Sequence, residues 1–247
     1  MDYGKLLEKR DFYLANKHLI PREIEENYDA NFDIEYTHNS TAIEGNTLTL
    51  AEVKLILEDN VSIGDKNMRE IYEVVNHGKA YKYVKKTISE GAPLDEAILK
   101  DIHALLCENI MIGGVYRDMN VYIRGAIHVP PAPLKMYEQI KVFYMNLQAK
   151  KEELNAIELA AWTHAEFVKI HPFSDGNGRT SRLIMNYQLM ANEFLPVFVA
   201  LAKRRVYFEK LEEYAVSGNL EPFAEFVYEL EYARLDWYNE QIKLILT

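Results

Sequence analysis

Helical periodicity narrows what this chain can fold into more than any other feature. Apolar residues fall on one helical face over residues 3–19, then over 22–36, where Ile24, Tyr28 and Phe32 lie four apart and Pro21 suits a first turn. The polar segment 38–46 that follows, with Gly45, reads as the end of that helix, Ile43 and Glu44 still being open to its last turn. Thr49 and Glu52 have capping-box spacing ahead of Val53, Ile56 and Leu57. Residues 68–88 form a long amphipathic stretch through Ile71, Tyr72, Val75, Tyr81, Val84 and Ile88, and residues 95–107 another through Ile98, Ile102, Leu105 and Leu106. Helical patterning returns over 137–147, 157–170, 179–190, 207–216 and 223–244. Only between Gly113 and Pro133 does the period change character. Val121, Ile123 and Val129 are β-branched, Gly125 supplies a turn, and Pro130-Pro131-Ala132-Pro133 forbids a helix, which predicts a short β-hairpin. The expected fold is mainly α, a single compact helical domain with one small hairpin.

With 49% apolar residues among 247, the chain can bury a core large enough for one domain. A formal net charge of −10 argues against a general nucleic-acid binder, whose affinity comes from clustered Lys and Arg. The single cysteine, Cys107, has no partner for an internal disulfide and sits in an apolar pattern, as expected of a small buried hydrophobe in a reducing compartment. The N-terminal residues lack a signal-peptide apolar run, and no apolar stretch approaches the ~20 residues needed to cross a bilayer. A soluble cytoplasmic protein without a membrane or nucleic-acid partner is expected.

Chemistry-bearing residues concentrate in His171-Pro172-Phe173-Ser174-Asp175-Gly176-Asn177-Gly178-Arg179-Thr180-Ser181-Arg182. Gly176 and Gly178 let the backbone bend so that successive amides face an anion, and the helix expected from Arg179 would put its positive end there. Arg179 and Arg182 are three apart on one helical face, with forked donors suited to phosphate. A neutral His171 suits a general base, and a capping or core histidine is the plainer alternative. Asp175 suits Mg²⁺ shared with phosphate oxygens, or a turn and N-cap position. Asn177 reads equally as an anion donor or a left-handed turn residue. His164 lies seven residues before His171, but its apolar neighbours Trp162, Ala165 and Phe167 mark it as a packed core histidine.

The same twelve residues match the Fic-family signature His-Pro-Phe-x-(Asp/Glu)-Gly-Asn-Gly-Arg-x-x-Arg at every position, and the chain is identified by it as resembling that family. The resemblance implies a helical domain that transfers AMP from ATP-Mg²⁺ to a hydroxyl of a target protein. It makes His171 the base, Asp175 the Mg²⁺ ligand, and Gly176, Asn177 and Gly178 the anion hole. Arg179 and Arg182 would hold the phosphates, Arg182 reaching the γ-phosphate, and Phe173 would seat the loop. Ser40-x-x-x-Glu44-Gly45 is similar to the family's inhibitory motif (Ser/Thr)-x-x-x-Glu-(Gly/Asn), which implies that Glu44 pairs with Arg182 and restrains transfer. In some relatives the equivalent glutamate aligns a water that removes AMP, a second role open to Glu44.

The hairpin corresponds to a flap that docks an extended target segment in relatives, with Val121, Tyr122 and Ile123 as the docking candidates; a purely structural hairpin fits equally well. Tyr207 corresponds to an aromatic that lines the adenine pocket, with core packing as its alternative. The implied organisation is N-terminal helices with the inhibitory motif at 1–60, a core at 61–205 holding the flap at about 114–133 and the loop at 171–182, and C-terminal helices at 206–247. The rival readings are a transferase using another nucleotide or phosphate donor, a non-catalytic nucleotide-binding or interaction protein, and a toxin-like partner of a separate antitoxin. Intact His171 and Asp175 argue against lost catalysis. Because Ser40 to Gly45 lies ahead of the signature, the chain resembles the class with an N-terminal inhibitory motif in the same chain, whose members often self-associate; partners implied are ATP and a target with a Ser, Thr or Tyr hydroxyl, including the chain itself.

Overall fold

A computed structural model describes residues 1–59, 61 and 63–246; the boundary expected at residue 60 and the last residue, 247, lie outside them. Ten α-helices account for most of these residues: α1 (Tyr3–Asn16), α2 (Arg22–Ala42), α3 (Leu50–Glu58), α4 (Met68–Ser89), α5 (Glu96–Leu106), α6 (Pro133–Glu153), α7 (Ala156–Ile170), α8 (Asn177–Ala191), α9 (Arg204–Ser217) and α10 (Glu221–Leu246). The mainly helical, single-domain fold expected from the periodicity is present. No helix among the described residues is long and apolar enough to cross a membrane.

The centre is the α7–α8 pair. Ala156, Ala160, Ala161 and Ala165 give α7 small side chains on its packed surface, and Ile157, Phe167 and Ile170 carry the apolar load, all buried. Its start is fixed by a capping box, Asn155 accepting from the Ile157 and Glu158 amides while Glu158 returns a bond to the Asn155 amide. The capping box expected at Thr49 and Glu52 likewise opens α3. A smaller apolar cluster of Ile34, Leu48, Val53, Ile56, Ile71 and Val74 joins α2, α3 and α4 and fixes where the turn after α2 lies.

Two expectations need correcting. The segment between Gly113 and Pro133 contains no strand among the described residues. Two of its carbonyls go elsewhere: the buried Arg117 guanidinium donates to Met119 O (2.8 Å) and Pro131 O (2.6 Å) and, outside the segment, to His171 O (2.8 Å), so an arginine takes the place of a strand ladder. A single Ala126 N–H to Ile123 O bond of 3.2 Å closes the turn at Gly125, whose φ is +83°. The proline run also ends sooner than expected, because Pro133 stands at the first turn of α6, where a missing N–H costs nothing.

The second helix runs past residue 36 to Ala42. Residues 37–41 read as polar because their polar groups face inward: Thr37 Oγ1 meets His77 Nδ1 at 3.0 Å, and Ser40 and Thr41 are each 1% exposed. Ile43 is the C-cap, and the turn after it brings Glu44 to the start of α8.

Candidate active site

The site is built where α7 ends and α8 begins. His171 caps α7 in a left-handed conformation, φ +52° and ψ +59°, which turns the chain away from the helix and presents the imidazole over the following loop. This unusual backbone is held on both sides: the His171 amide donates to Phe167 O at 3.0 Å, and Arg117 Nε donates to His171 O at 2.8 Å. His171 Nδ1 lies 3.1 Å from Val168 O, which can only accept, so Nδ1 carries the proton and Nε2 is the free base. Burial lowers the imidazole pKa to about 4, against the opposing pull of the Val168 bond and the Glu44 charge. The ring is therefore neutral at pH 7.

Phe173 seats the loop. It is fully buried and stacks on His103 with ring centroids 3.6 Å apart and planes 5° from parallel. His103 Nδ1 accepts from the Gly114 amide (2.8 Å), so its Nε2–H donates to Asp175 O (2.9 Å); burial holds this ring neutral too, at about 4. Asn177 closes the loop from below, its Oδ1 accepting from Phe173 N (2.9 Å) and its Nδ2 donating to Phe173 O (2.8 Å). The Asn177 side chain is thus a clamp on Phe173, and the anion donor expected at this position is reduced to its backbone amide. Gly176 has φ +76°, and a Cβ there would meet His103 Nε2 at 3.2 Å.

The first turn of α8 has no side-chain cap. The amides of residues 177–179 have no acceptor within the helix and lie at its positive end. Arg179 stands beside them, 3% exposed, with Nε and Nη1 lacking any hydrogen-bond partner. Among the described residues only loose carboxylates balance it, Glu73 at 3.6 Å from Nη1 and Asp175 at 3.6 Å from Nη2. A buried guanidinium with open donors beside an uncapped helix start is suited to an oxyanion such as phosphate.

Arg182, 1% exposed, has a partner at each nitrogen: Nε donates to Ser40 Oγ (2.9 Å), Nη2 to Ser40 O (2.7 Å) and Glu44 Oε1 (2.8 Å), and Nη1 to Tyr207 OH (3.2 Å). Burial works against its charge, while Tyr207 and Glu44 outweigh that and keep it protonated. Glu44 reaches this position through Gly45, whose φ of +107° turns the chain behind it. Its carboxylate lies against Gly178 so closely that a Cβ on Gly178 would fall 2.1 Å from Glu44 Oε1.

Asp175 offers one carboxylate, 42% exposed at the mouth of the loop. Oδ1 accepts from the Gly176 amide (2.6 Å), and Oδ2 is paired with Arg69 Nη2. Partial burial raises its pKa, but Arg179, the Gly176 amide and Arg69 together hold it below the usual carboxylate value. No cluster of three or more His, Cys, Asp or Glu residues suited to a metal exists among the described residues. A lone carboxylate beside open phosphate donors fits Mg²⁺, which takes one or two carboxylates and completes its shell with phosphate oxygens and water.

Tyr207 does not line an open pocket. It is 1% exposed, accepts from Arg182 Nη1 and bonds His164 Nε2 at 2.8 Å, with its ring packed on Phe223 and Phe226. The aromatic expected against adenine is a support for Arg182 instead. His164 is buried between Tyr207 and Ser181 Oγ (3.1 Å), as a packed core histidine. In the flap segment Tyr122 is 79% exposed and Val121 and Ile123 are half-buried. The segment is tied down by Arg117 N to Pro172 O (3.0 Å), His128 N to Glu212 Oε1 (2.6 Å) and His128 Nε2 to Lys169 O (2.8 Å).

Four contributors to the site escaped the sequence reading: Arg69, Glu73, His103 and Arg117. His103 alone left a trace, as a polar residue within the apolar pattern of 95–107.

Residues 93–189 match the model of the Fic/DOC family. The chain is 36% identical over 241 residues to a protein adenylyltransferase Fic of Nematostella vectensis, covering 95% of this chain and 55% of that protein. Its likeness to the protein adenylyltransferase Fic of Aedes aegypti is also 36%, over 211 residues, covering 83% of this chain and 41% of the relative. The chain thus spans about half the length of these relatives. Among solved structures, Fic-1 from C. elegans (residues 134–508) superposes with a TM-score of 0.83 at 28% identity, covering 98% of this chain and 73% of that one. A Fic domain-containing signaling protein from Bacteroides thetaiotaomicron superposes at 0.84 with 23% identity, covering 95% and 97%, a likeness of fold. The loop at 171–182, the family match over residues 93–189 that contains it and the similarity along nearly the whole chain agree that this protein carries a domain of the Fic/DOC family.

Proposed function

We propose that the chain is a protein adenylyltransferase that moves AMP from ATP to a hydroxyl of a target protein, and that Glu44 restrains it. The observation that carries this reading is the neutral His171, its Nδ1 tied to Val168 O and its Nε2 free, set over the uncapped first turn of α8. The target hydroxyl gives its proton to His171 Nε2 as its oxygen bonds the α-phosphorus. The bond from that phosphorus to the bridging oxygen breaks, and pyrophosphate leaves. The amides of residues 177–179 and Arg179 receive the phosphate oxygens, so the chemistry needs positioning and charge neutralisation more than covalent help. Bound Mg²⁺, held through Asp175, would neutralise charge on the α- and β-phosphates.

Arg182 would orient the γ-phosphate, but Glu44 holds the same Nη2 and its carboxylate lies over Gly178. ATP then binds with its α-phosphate misaligned. The same carboxylate stands close enough to His171 to influence its charge, which also suits alignment of a water for removing AMP. Val121, Tyr122 and Ile123 lie in a segment without strand pairing, compatible with an incoming target strand.

Intact mass after incubating Glu44→Gly with Mg²⁺ and ATP, GTP, CTP or UTP in separate reactions tests donor and reaction together. An AMP adduct with ATP alone is expected. Adducts of similar yield with every nucleotide would reject ATP as the selected donor, and no adduct on the chain or on an added proteome would favour a binding protein.

A further inference from the structure

Arg69 is the second residue of α4, a helix outside the signature loop, yet it faces Asp175 Oδ2 directly. The contact is built rather than incidental. Arg69 Nε donates to Glu73 Oε1 at 3.2 Å, and Glu73, with a side chain only 13% exposed, is held at Oε2 by Asn46 Nδ2 at 3.0 Å. Asn46 in turn accepts from Leu48 N at 3.0 Å and donates to Glu70 O at 3.0 Å. A chain of polar contacts therefore runs from the loop just after Glu44 to the carboxylate at the mouth of the site. With Oδ1 bound to the Gly176 amide, Oδ2 is the oxygen Asp175 has left to offer a cation, and Arg69 covers it.

We infer that Arg69 is a resident counter-ion that a divalent metal must displace from Asp175, and that it thereby sets how tightly the site takes metal-bound ATP. This rests on the proposed reading of Asp175 as the metal ligand. A guanidinium and a dication cannot share one carboxylate oxygen without strong repulsion at such a separation. Arg69 is 53% exposed, so its Nη2 can turn to water while its Nε stays on Glu73 Oε1. Without metal or nucleotide, the pairing keeps the Asp175 carboxylate from standing uncompensated beside the loop. Metal binding then carries the cost of breaking one partly exposed ion pair.

The competition has an unusual sign. Removing a positive charge near a polyanion ordinarily weakens binding, whereas removing Arg69 should tighten binding of metal-loaded nucleotide. Calorimetric titration of Arg69→Gln in the full chain, in a Glu44→Gly background, reads this without turnover by using the α,β-methylene analogue AMPCPP, whose P–C–P bridge replaces the bond that AMP transfer breaks, with Mg²⁺ or with EDTA. Arg69→Gln should bind Mg²⁺·AMPCPP roughly two- to five-fold tighter than its parent, the range of a partly exposed ion pair. Metal-free AMPCPP should bind no tighter. The gain should vanish in the Asp175→Asn background. Equal or weaker Mg²⁺·AMPCPP binding by Arg69→Gln, or an equal gain without the Asp175 carboxylate, overturns the inference alone. If Asp175→Asn leaves both Mg²⁺·AMPCPP and metal-free affinities at the parent values, the metal reading of Asp175 falls and takes the inference with it.

Discussion

Replacing Glu44 with glycine removes one acceptor from Arg182 Nη2 and leaves the other three bonds of that guanidinium, to Ser40 Oγ, Ser40 O and Tyr207 OH, in place. The lost bond is charge-assisted at 2.8 Å, with one partner 1% exposed and the other 36%. A fully buried hydrogen bond to a charged group contributes roughly 1.5–3 kcal/mol, and the exposure of Glu44 places this one at the lower end, near 1.5–2 kcal/mol. If that energy is what holds the γ-phosphate from Arg182, its removal should raise the rate of AMP transfer about 10- to 30-fold at saturating ATP. Opening the space over Gly178 adds to this. Glu44→Gln keeps the shape and one acceptor but loses the charge, so it should fall between wild type and glycine. The assay is initial-rate transfer of labelled AMP to the chain itself or to a proteome. Equal rates for wild type and Glu44→Gly would refute the restraint, and a Glu44→Gln rate above that of glycine would refute the energetic argument.

Four further outcomes are expected. His171→Ala should lower transfer by about 10²–10⁴-fold in the Glu44→Gly background, as loss of a general base does. Because burial holds His171 near pKa 4, its neutral, competent form persists as pH falls and is lost only through about 4; a single-turnover profile with its acid limb near 6.5 would show that the ring is not held neutral. Tyr207→Phe removes a hydroxyl shared by Arg182 and His164 and should lower the unfolding free energy by about 1–2 kcal/mol in denaturant titration with ATP affinity unchanged, whereas an adenine-facing ring would make ATP affinity sensitive to this position. Arg117→Ala orphans three carbonyls and should raise amide hydrogen exchange across residues 118–131 while lowering transfer, and unchanged exchange there would show that the guanidinium is not what fastens this segment.

Residues 171–182 were legible because their chemistry is contiguous: the turn glycines, the base and both arginines follow one another on the chain. The helices were legible where an apolar face alone decides the matter, as in α4 and α7. Legibility failed where polar groups find partners far away. Residues 37–41 look like a helix end because Thr37, Ser40 and Thr41 are polar, yet His77 and Arg182 give two of them buried partners on other helices. The β-branched run around Val121 looks like a strand, but Arg117 takes the carbonyls that a partner strand would need. Arg69 and Glu73 sit on the polar face of a helix that reads as solvated, and only the fold brings them within reach of Asp175 and Arg179. Tyr207 carried a choice between pocket and core that a single sequence leaves open, and its shared hydroxyl decided it.

The contact between Gly178 and Glu44 has a genetic consequence. A methyl group at residue 178 would disturb the backbone proposed to face the phosphates and, by the same 2.1 Å overlap, evict the carboxylate proposed to restrain transfer. Damage to the catalyst and release of its brake are thus joined in one atom. Variants at residue 178 cannot be scored as simple losses, and a suppressor of a hyperactive Glu44 allele is more cleanly sought at Arg179 or His171.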